Sequence, residues 1–176
     1  SEVRVAGRLM SKRGLYKIKD NYLRFWFAFI YPNMSFIESG HSGIVMDKIR
    51  RGLTASHIGF VYEDICQERM WELNVNNAWP FQFSQLGGYW DAKNEIDIAA
   101  LDPEGKNLIL GECKYWKEPV GLNVLHALEA KACDVAWERD RRKVWYVLFS
   151  ISGFSDELRN HAATRDDLLL IDDRGR

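Results

Sequence analysis

Much of what would mark this chain's class is missing from its sequence. Its 176 residues include only three cysteines and four prolines. Cys66, Cys113 and Cys133 are odd in number and far apart, without the close Cys or His pairing of a zinc site. They read as thiols of a reducing compartment. His41, His57, His126 and His161 show no ligand spacing either, and each reads as a surface or packed side chain. No apolar run approaches the ~20 residues of a membrane span, and the start lacks a signal-peptide pattern. The expected setting is cytoplasmic, with no membrane partner. Neither sign of charge is in excess: 24 Lys and Arg against 25 Asp and Glu leave a formal net charge of −1. Any polyanionic partner therefore needs a local basic patch. A Gly-x-x-x-x-Gly-Lys-Ser/Thr phosphate loop is absent, so the chain is not expected to hydrolyse ATP itself. Repeats and low-complexity tracts are absent too.

What is present is core-forming material. Hydrophobic residues make up 47% of the chain, enough for one good domain or a small domain with an appendage. Ser1 stands where an initiator methionine would, so a longer parent chain or a processed start is expected.

Along residues 1–19, basic residues mix with short apolar alternations around Lys12-Arg13-Gly14, which suggests a two-stranded ribbon. Asp20 is a good N-cap for a helix through Tyr22, Leu23, Phe25, Trp26, Phe27, Phe29 and Ile30, with Pro32 expected to stop it. Apolar nearly all round, that helix should be buried on several sides or face a partner. Gly40 and Gly43 read as breaks before a short amphipathic piece around Ile44, Val45 and Ile49, and a soft boundary falls near Gly52.

A longer helix is expected from Thr54 or Ser56 to about Leu73, then irregular chain over 74–84. Gln85 to Trp90 reads as a strand in which Gly87 and Gly88 invite a bulge or a close backbone approach. Beyond residue 115 come an amphipathic helix over about 122–137, a buried strand over 144–149, a short helix from Ser155 and a last strand over 168–171.

Between these elements lies the stretch that carries chemistry. Glu95 to Leu101 and Asn107 to Tyr115 alternate as half-buried strands around the turn Asp102-Pro103-Glu104-Gly105-Lys106. With the turn centred between Glu104 and Gly105, antiparallel counting puts Asp97 opposite Glu112 and Glu95 opposite Lys114. Opposed residues have Cβ atoms only about 5 Å apart, so Asp97, Glu112 and Lys114 should form one cluster. Two carboxylates with little cationic company repel each other, and a hard cation such as Mg²⁺ is a common way to hold them. A lysine beside them could orient water or stabilise charge developing on phosphorus. The plainer alternative is that Glu-x-Lys decorates a solvated sheet face.

A helical Glu, then Glu95-Ile96-Asp97-Ile98, then Gly111-Glu112-Cys113-Lys114 and a following helix resembles the PD-(D/E)XK nuclease superfamily, over about residues 56–150. Lys114-Tyr115 followed by Pro119-Val120-Gly121 is similar to Mrr-like restriction endonucleases, and the pattern also resembles archaeal Holliday-junction resolvases. Ile96, not the motif's Pro, precedes Asp97, at a position where many members of the superfamily vary. The resemblance implies an α/β fold with a restriction-endonuclease-like α-β-β-β-α-β core, a central mixed sheet flanked by helices, and a small N-terminal helical and ribbon extension. It also implies that Asp97 and Glu112 bind Mg²⁺ or Mn²⁺, with the Cys113 carbonyl assisting, and that Lys114 is the catalytic lysine. Glu63 matches the helix acid, and Glu68 is the second candidate. Five residues apart on a helix, these two cannot occupy one spot.

Tyr16-x-Ile18-x-Asp20-Asn21-Tyr22-Leu23-Arg24-Phe25-Trp26-Phe27 and then Tyr31-Pro32-Asn33 extend the resemblance to the C-terminal region of archaeal and bacterial AAA-type ATPases that carry a domain of unknown function. On that reading residues 1–53 are a winged-helix ribbon plus an aromatic connector, and 54–176 the nuclease-like domain. The implied partners are DNA and the ATPase and winged-helix modules of one longer polypeptide. Lys131, Arg139, Arg141 and Arg142 are candidates for a phosphate track, although a basic helix end also satisfies the helix dipole. Trp90 and Trp116 flank the hairpin and could stack on bases. Two functions stay open: a metal-dependent DNA nuclease domain, and a non-catalytic module that keeps the nuclease fold and docks on the ATPase. A homo-oligomer, or a purely structural oligomerisation domain, stays open as well.

Overall fold

The structure is a computed structural model that describes Ile18, residues 20–53 and residues 57–173. The expected ribbon over 1–19, Ile18 apart, and the expected helix starts at Thr54 or Ser56 lie outside the described residues. Two compact units divide after Tyr62.

In the unit that ends at Tyr62, Asp20 caps as expected: its carboxylate accepts from the Leu23 N–H at 2.9 Å. α1 (Asn21–Phe25) runs through a widened π turn (Trp26–Ile30) and a tight 3-10 turn (Tyr31–Asn33) into α2 (Met34–Glu38). Pro32, expected to stop the helix, does not. It sits at the opening of a new helical turn, where its missing N–H forfeits no bond. Asn33 ties the segment down, donating to the Phe29 carbonyl at 2.8 Å and accepting from Lys48 at 2.7 Å. Lys48 comes from α3 (Ser42–Leu53), which is longer than the short piece expected because Gly43 lies inside it. Gly40 alone breaks the chain, with φ at +80°. In the aromatic stretch Phe29 is buried, while Tyr22, Leu23, Phe27 and Tyr31 are exposed.

The unit from Glu63 onward is built on a five-stranded sheet. α4 (Gly59–Val75) leads into it, followed by β1 (Gln85–Trp90), β2 (Glu95–Leu101), β3 (Asn107–Lys114), α5 (Leu122–Asp134), β4 (Lys143–Ser150), α6 (Asp156–Ala162) and β5 (Leu168–Asp172). The strands lie in sequence order. β1, β2 and β3 pair antiparallel, while β3, β4 and β5 pair parallel. This is the expected α-β-β-β-α-β order in a mixed sheet flanked by helices, with α6 and β5 added. Leu108, Leu110, Leu148 and Leu168 of the sheet pack with Val124, Leu125, Leu128 and Ala132 of α5 and Leu158 of α6 in one buried core. α5 ends at Asp134 rather than near 137, because Val135 turns extended and is itself fully buried.

Alternation along β3 assigns the faces. Leu108, Leu110 and Glu112 point to the α5 side, so Cys113 points the other way, where its thiol meets Cys66 of α4. α4 and α5 therefore cover opposite faces. Gly111 sits between β2 and β4 where a Cβ would come within 2.5 Å of Val147 Cγ1 and 2.8 Å of the Val147 carbonyl oxygen. Only glycine leaves room there.

Candidate functional site

The β2–β3 hairpin is closed at its turn and open at its other end. At the turn, Asp102 accepts from the Lys106 N–H at 2.8 Å and from the Asn107 side chain at 2.7 Å, and Gly105 takes a φ of +71° that its lack of a Cβ permits. From there the ladder runs Leu101↔Leu108, Ala100↔Ile109, Ala99↔Leu110 and Ile98↔Gly111. The next pair on that count is Asp97 with Glu112, as the sequence predicts, but the regular pairing has already stopped. On the far side of β2 the register steps from Gly87↔Ala99 to Tyr89↔Ile96, so Gly88 alone faces both Asp97 and Ile98. A bulge falls where Gly87-Gly88 invites one, yet the extra residue belongs to the facing strand. Bulges interrupt the ladder and re-aim side chains, and Asp97 is the residue affected.

Beyond the last ladder pair, side chains take over from backbone. Asp97 Oδ2 accepts from the Cys113 N–H at 2.8 Å. Lys114 Nζ donates to Glu112 Oε2 at 2.5 Å and lies 3.9 Å from Asp97 Oδ2. Lys131, reaching over from α5, donates to Glu112 Oε1 at 2.6 Å and to the Glu95 carbonyl at 2.7 Å. The expected cluster of Asp97, Glu112 and Lys114 therefore forms, and it has a fourth member. The premise of scant cationic company does not hold, because two ammonium groups face two carboxylates. No local pattern announces this partner, because Lys131 lies 19 residues from Glu112.

The electrostatics follow from burial. Desolvation, then repulsion from Glu112, pushes the Asp97 carboxyl up to about 6 against the opposing pull of the Cys113 N–H, Lys114 and Lys131. For Lys114, burial pulls downward, but the hydrogen bond to Glu112 and the charges of Glu112 and Asp97 outweigh it, so the net shift is upward. Lys114 therefore stays protonated near neutrality and acts as a hydrogen-bond donor and a positive charge, not as a base. Burial, followed by the Cys66 contact and the charges of Asp97 and Glu63, holds the Cys113 thiol well above its ordinary value. It stays a thiol, so only its carbonyl suits a hard cation.

The remaining candidates divide. Glu63 is half-buried on the α4 face that carries Cys66 and Gln67, close enough for its charge to act on Cys113, and Gln67 donates to the Asp97 carbonyl at 3.4 Å. Glu68 is exposed on another face. Arg139 donates to the Cys133 carbonyl, and Arg142 donates to the Trp137 carbonyl and to the Ala132 carbonyl at 2.8 Å, so both satisfy the end of α5 as a basic helix end can. Arg141 is exposed. Trp116, exposed just past β3, has Lys114 Nζ 5.6 Å from its ring centroid, and Trp90 is exposed at the end of β1. Gln67 was not singled out from the sequence and Cys66 only as a thiol, although their spacing of three and four from Glu63 puts them on its helix face.

The donor set suits a hard divalent cation in kind: two carboxylates and a backbone carbonyl, with water to complete the shell, which is the partial protein coordination that Mg²⁺ accepts. Among the described residues no three His, Cys, Asp or Glu side chains are grouped to hold a metal ion. A cation at this site would thus rest on Asp97 and Glu112 and would share Glu112 with its lysines.

A family model described as "Archaea bacterial proteins of unknown function", DUF234, matches residues 26–133. The chain belongs to this DUF234 family. A curated relative, "Uncharacterized protein MJECL04" of Methanocaldococcus jannaschii, is 40% identical over 108 residues, which are 61% of this chain but 24% of the relative. The chain thus spans about a quarter of that relative's length. Two solved structures are similar over part of their length. One, titled "crystal structure of a repair endonuclease from Pyrococcus abyssi", is 13% identical with a TM-score of 0.37, covering 58% of this chain and 44% of the other. The second, a protein of unknown function, AF1548, is 21% identical with a TM-score of 0.38, covering 60% and 56%.

Proposed function

We propose that the open end of the hairpin is a divalent-cation site that hydrolyses phosphodiester bonds of DNA. The observation that carries this reading is the convergence of Asp97, beside a bulge in β2, with Glu112 and a protonated Lys114 of β3 just past the last backbone pair of the hairpin. Asp97 and Glu112 would hold Mg²⁺ or Mn²⁺, with the Cys113 carbonyl assisting. When bound, the cation supplies Lewis-acid polarisation of a phosphoryl oxygen and an acidified water. Lys114 donates hydrogen bonds toward the oxygens that gain charge at phosphorus, and being held protonated it needs no proton uptake to do so. The Cys113 N–H fixes the orientation of the Asp97 carboxylate. Glu63 is the helix acid that the resemblance implies; here it acts on Cys113 from the α4 side and is not grouped with Asp97 and Glu112 around a cation. The resemblance to the ATPase C-terminal region adds that the domain works on a longer polypeptide with ATPase and winged-helix modules.

Lys114→Ala and Asp97→Ala are each expected to lower Mg²⁺- or Mn²⁺-dependent cleavage at least ~100-fold while the circular-dichroism spectrum stays that of wild type. Wild-type protein that cleaves no DNA or RNA substrate with either cation rejects catalysis by this chain alone.

One observation favours a second reading, a non-catalytic module with the nuclease fold. Two lysines already neutralise the two carboxylates, so the site is balanced without metal. Calorimetry separates the two, because a module of that kind takes up neither cation.

A further inference from the structure

Glu112 is 5% exposed and holds an ammonium group on each of its oxygens. The two lysines are not equivalent. Lys114 is fixed by its own strand, two residues from Glu112, with a side chain 20% exposed and Asp97 as a further neighbour. Lys131 comes from the last turn of α5, with a side chain 29% exposed, and spans the gap where β2 and β3 have stopped pairing. One donor reaches Glu112 Oε1 and another the Glu95 carbonyl, and Glu95 is exposed. Lys131, the more exposed of the two and carried by a helix outside the hairpin, can therefore swing toward water without displacing β3, which Lys114 cannot. Asp97, Glu112, Lys114 and Lys131 together sum formally to zero. A divalent cation would add two positive charges, and the positive charge easiest to move away is that of Lys131.

We propose that Lys131 is the internal counter-ion of Glu112 that gives way to a divalent cation. It is a positioning residue: it holds the Glu112 carboxylate toward the gap and pairs it while no metal is bound, and it lowers metal affinity because the cation must displace it from Oε1. This rests on the cation reading of the site, and the competition sets it apart from a merely structural lysine. Loss of a structural lysine would weaken both folding and metal binding. Loss of a competing counter-ion moves them in opposite directions.

Calorimetric titration of Mn²⁺ into wild-type protein, Lys131→Gln and Lys131→Arg provides the test, with thermal melts of each protein in metal-free buffer. Lys131→Gln is expected to bind Mn²⁺ at least about tenfold more tightly than wild type and to melt at a lower temperature without metal. Lys131→Arg, which keeps the charge, should bind no more tightly than wild type. A Lys131→Gln variant that binds as weakly as wild type, or more weakly, overturns the proposal while leaving the cation site standing. A wild-type protein that takes up no Mn²⁺ overturns both. Should Lys131→Gln fail to fold, wild-type protein labelled at lysine ¹³Cε decides: the resonance lost in Lys131→Arg must move when Mg²⁺ is added, and a resonance that does not move overturns the counter-ion exchange.

Discussion

The two ends of the β2–β3 hairpin are made from the same two strands and are held together by different means. From Ile98↔Gly111 to the turn, backbone pairs with backbone and the side chains are almost all apolar and buried. From Asp97 and Glu112 outward, the ladder gives way to carboxylates and ammonium groups that bond backbone and one another. A closed ladder leaves no polar group to offer, so its side chains can do nothing but pack. An opened ladder leaves N–H and C=O groups that must be satisfied, and the side chains that satisfy them here are charged. The same opening that weakens the sheet creates the place where chemistry can occur.

The largest test of this contrast is at the closed end. Leu110→Ala removes a fully buried side chain from the core shared with α5 and is expected to cost ~3 kcal/mol, within the usual spread of about 2–5, read as a lower urea midpoint, while Mn²⁺ affinity stays near wild type. Loss of affinity as large as the loss of stability would mean that the two ends are not separable.

At the open end the expected effect is a dependence on pH. Asp97 titrates near 6 in the fold against an ordinary 3.8, so its contribution to stability is fully present below 3.8 and is lost as pH rises through 6. In metal-free buffer, wild type should therefore gain stability relative to Asp97→Asn between pH 7 and pH 4, by up to ~3 kcal/mol. Parallel stability curves for the two proteins would sink this assignment. Gly111→Ala is next, at about 2 kcal/mol, because the new Cβ meets the Val147 backbone, which cannot move aside as a side-chain tip would. The smallest change is Asp102→Ala at the turn, which loses two hydrogen bonds for ~1 kcal/mol and should leave the metal site untouched.

Much of the fold is legible from neighbours along the chain. Asp20 and Ser155 cap their helices, the Gln85–Trp90 strand has the expected bounds, and centring the turn between Glu104 and Gly105 yields the observed hairpin register. Pro32 misleads because a proline breaks a helix only where its N–H is needed, and the turn geometry that decides this is not written in the residue. Glu63 and Glu68 are equal candidates by type. They differ only once α4 is laid against the sheet and one of them stays in solvent.

The sequence by itself determined the strands, the turn, the register and the two carboxylates with their lysine, because alternation and turn chemistry act between residues a few positions apart. Only the tertiary structure decided how those groups are used. The bulge at Asp97 depends on a second strand facing it, and the pairing of Glu112 with Lys131 depends on α5 lying across the open end of the hairpin. Burial and charge compensation are properties of what surrounds a residue in space, and for Glu112 much of that surrounding is supplied from 19 residues away.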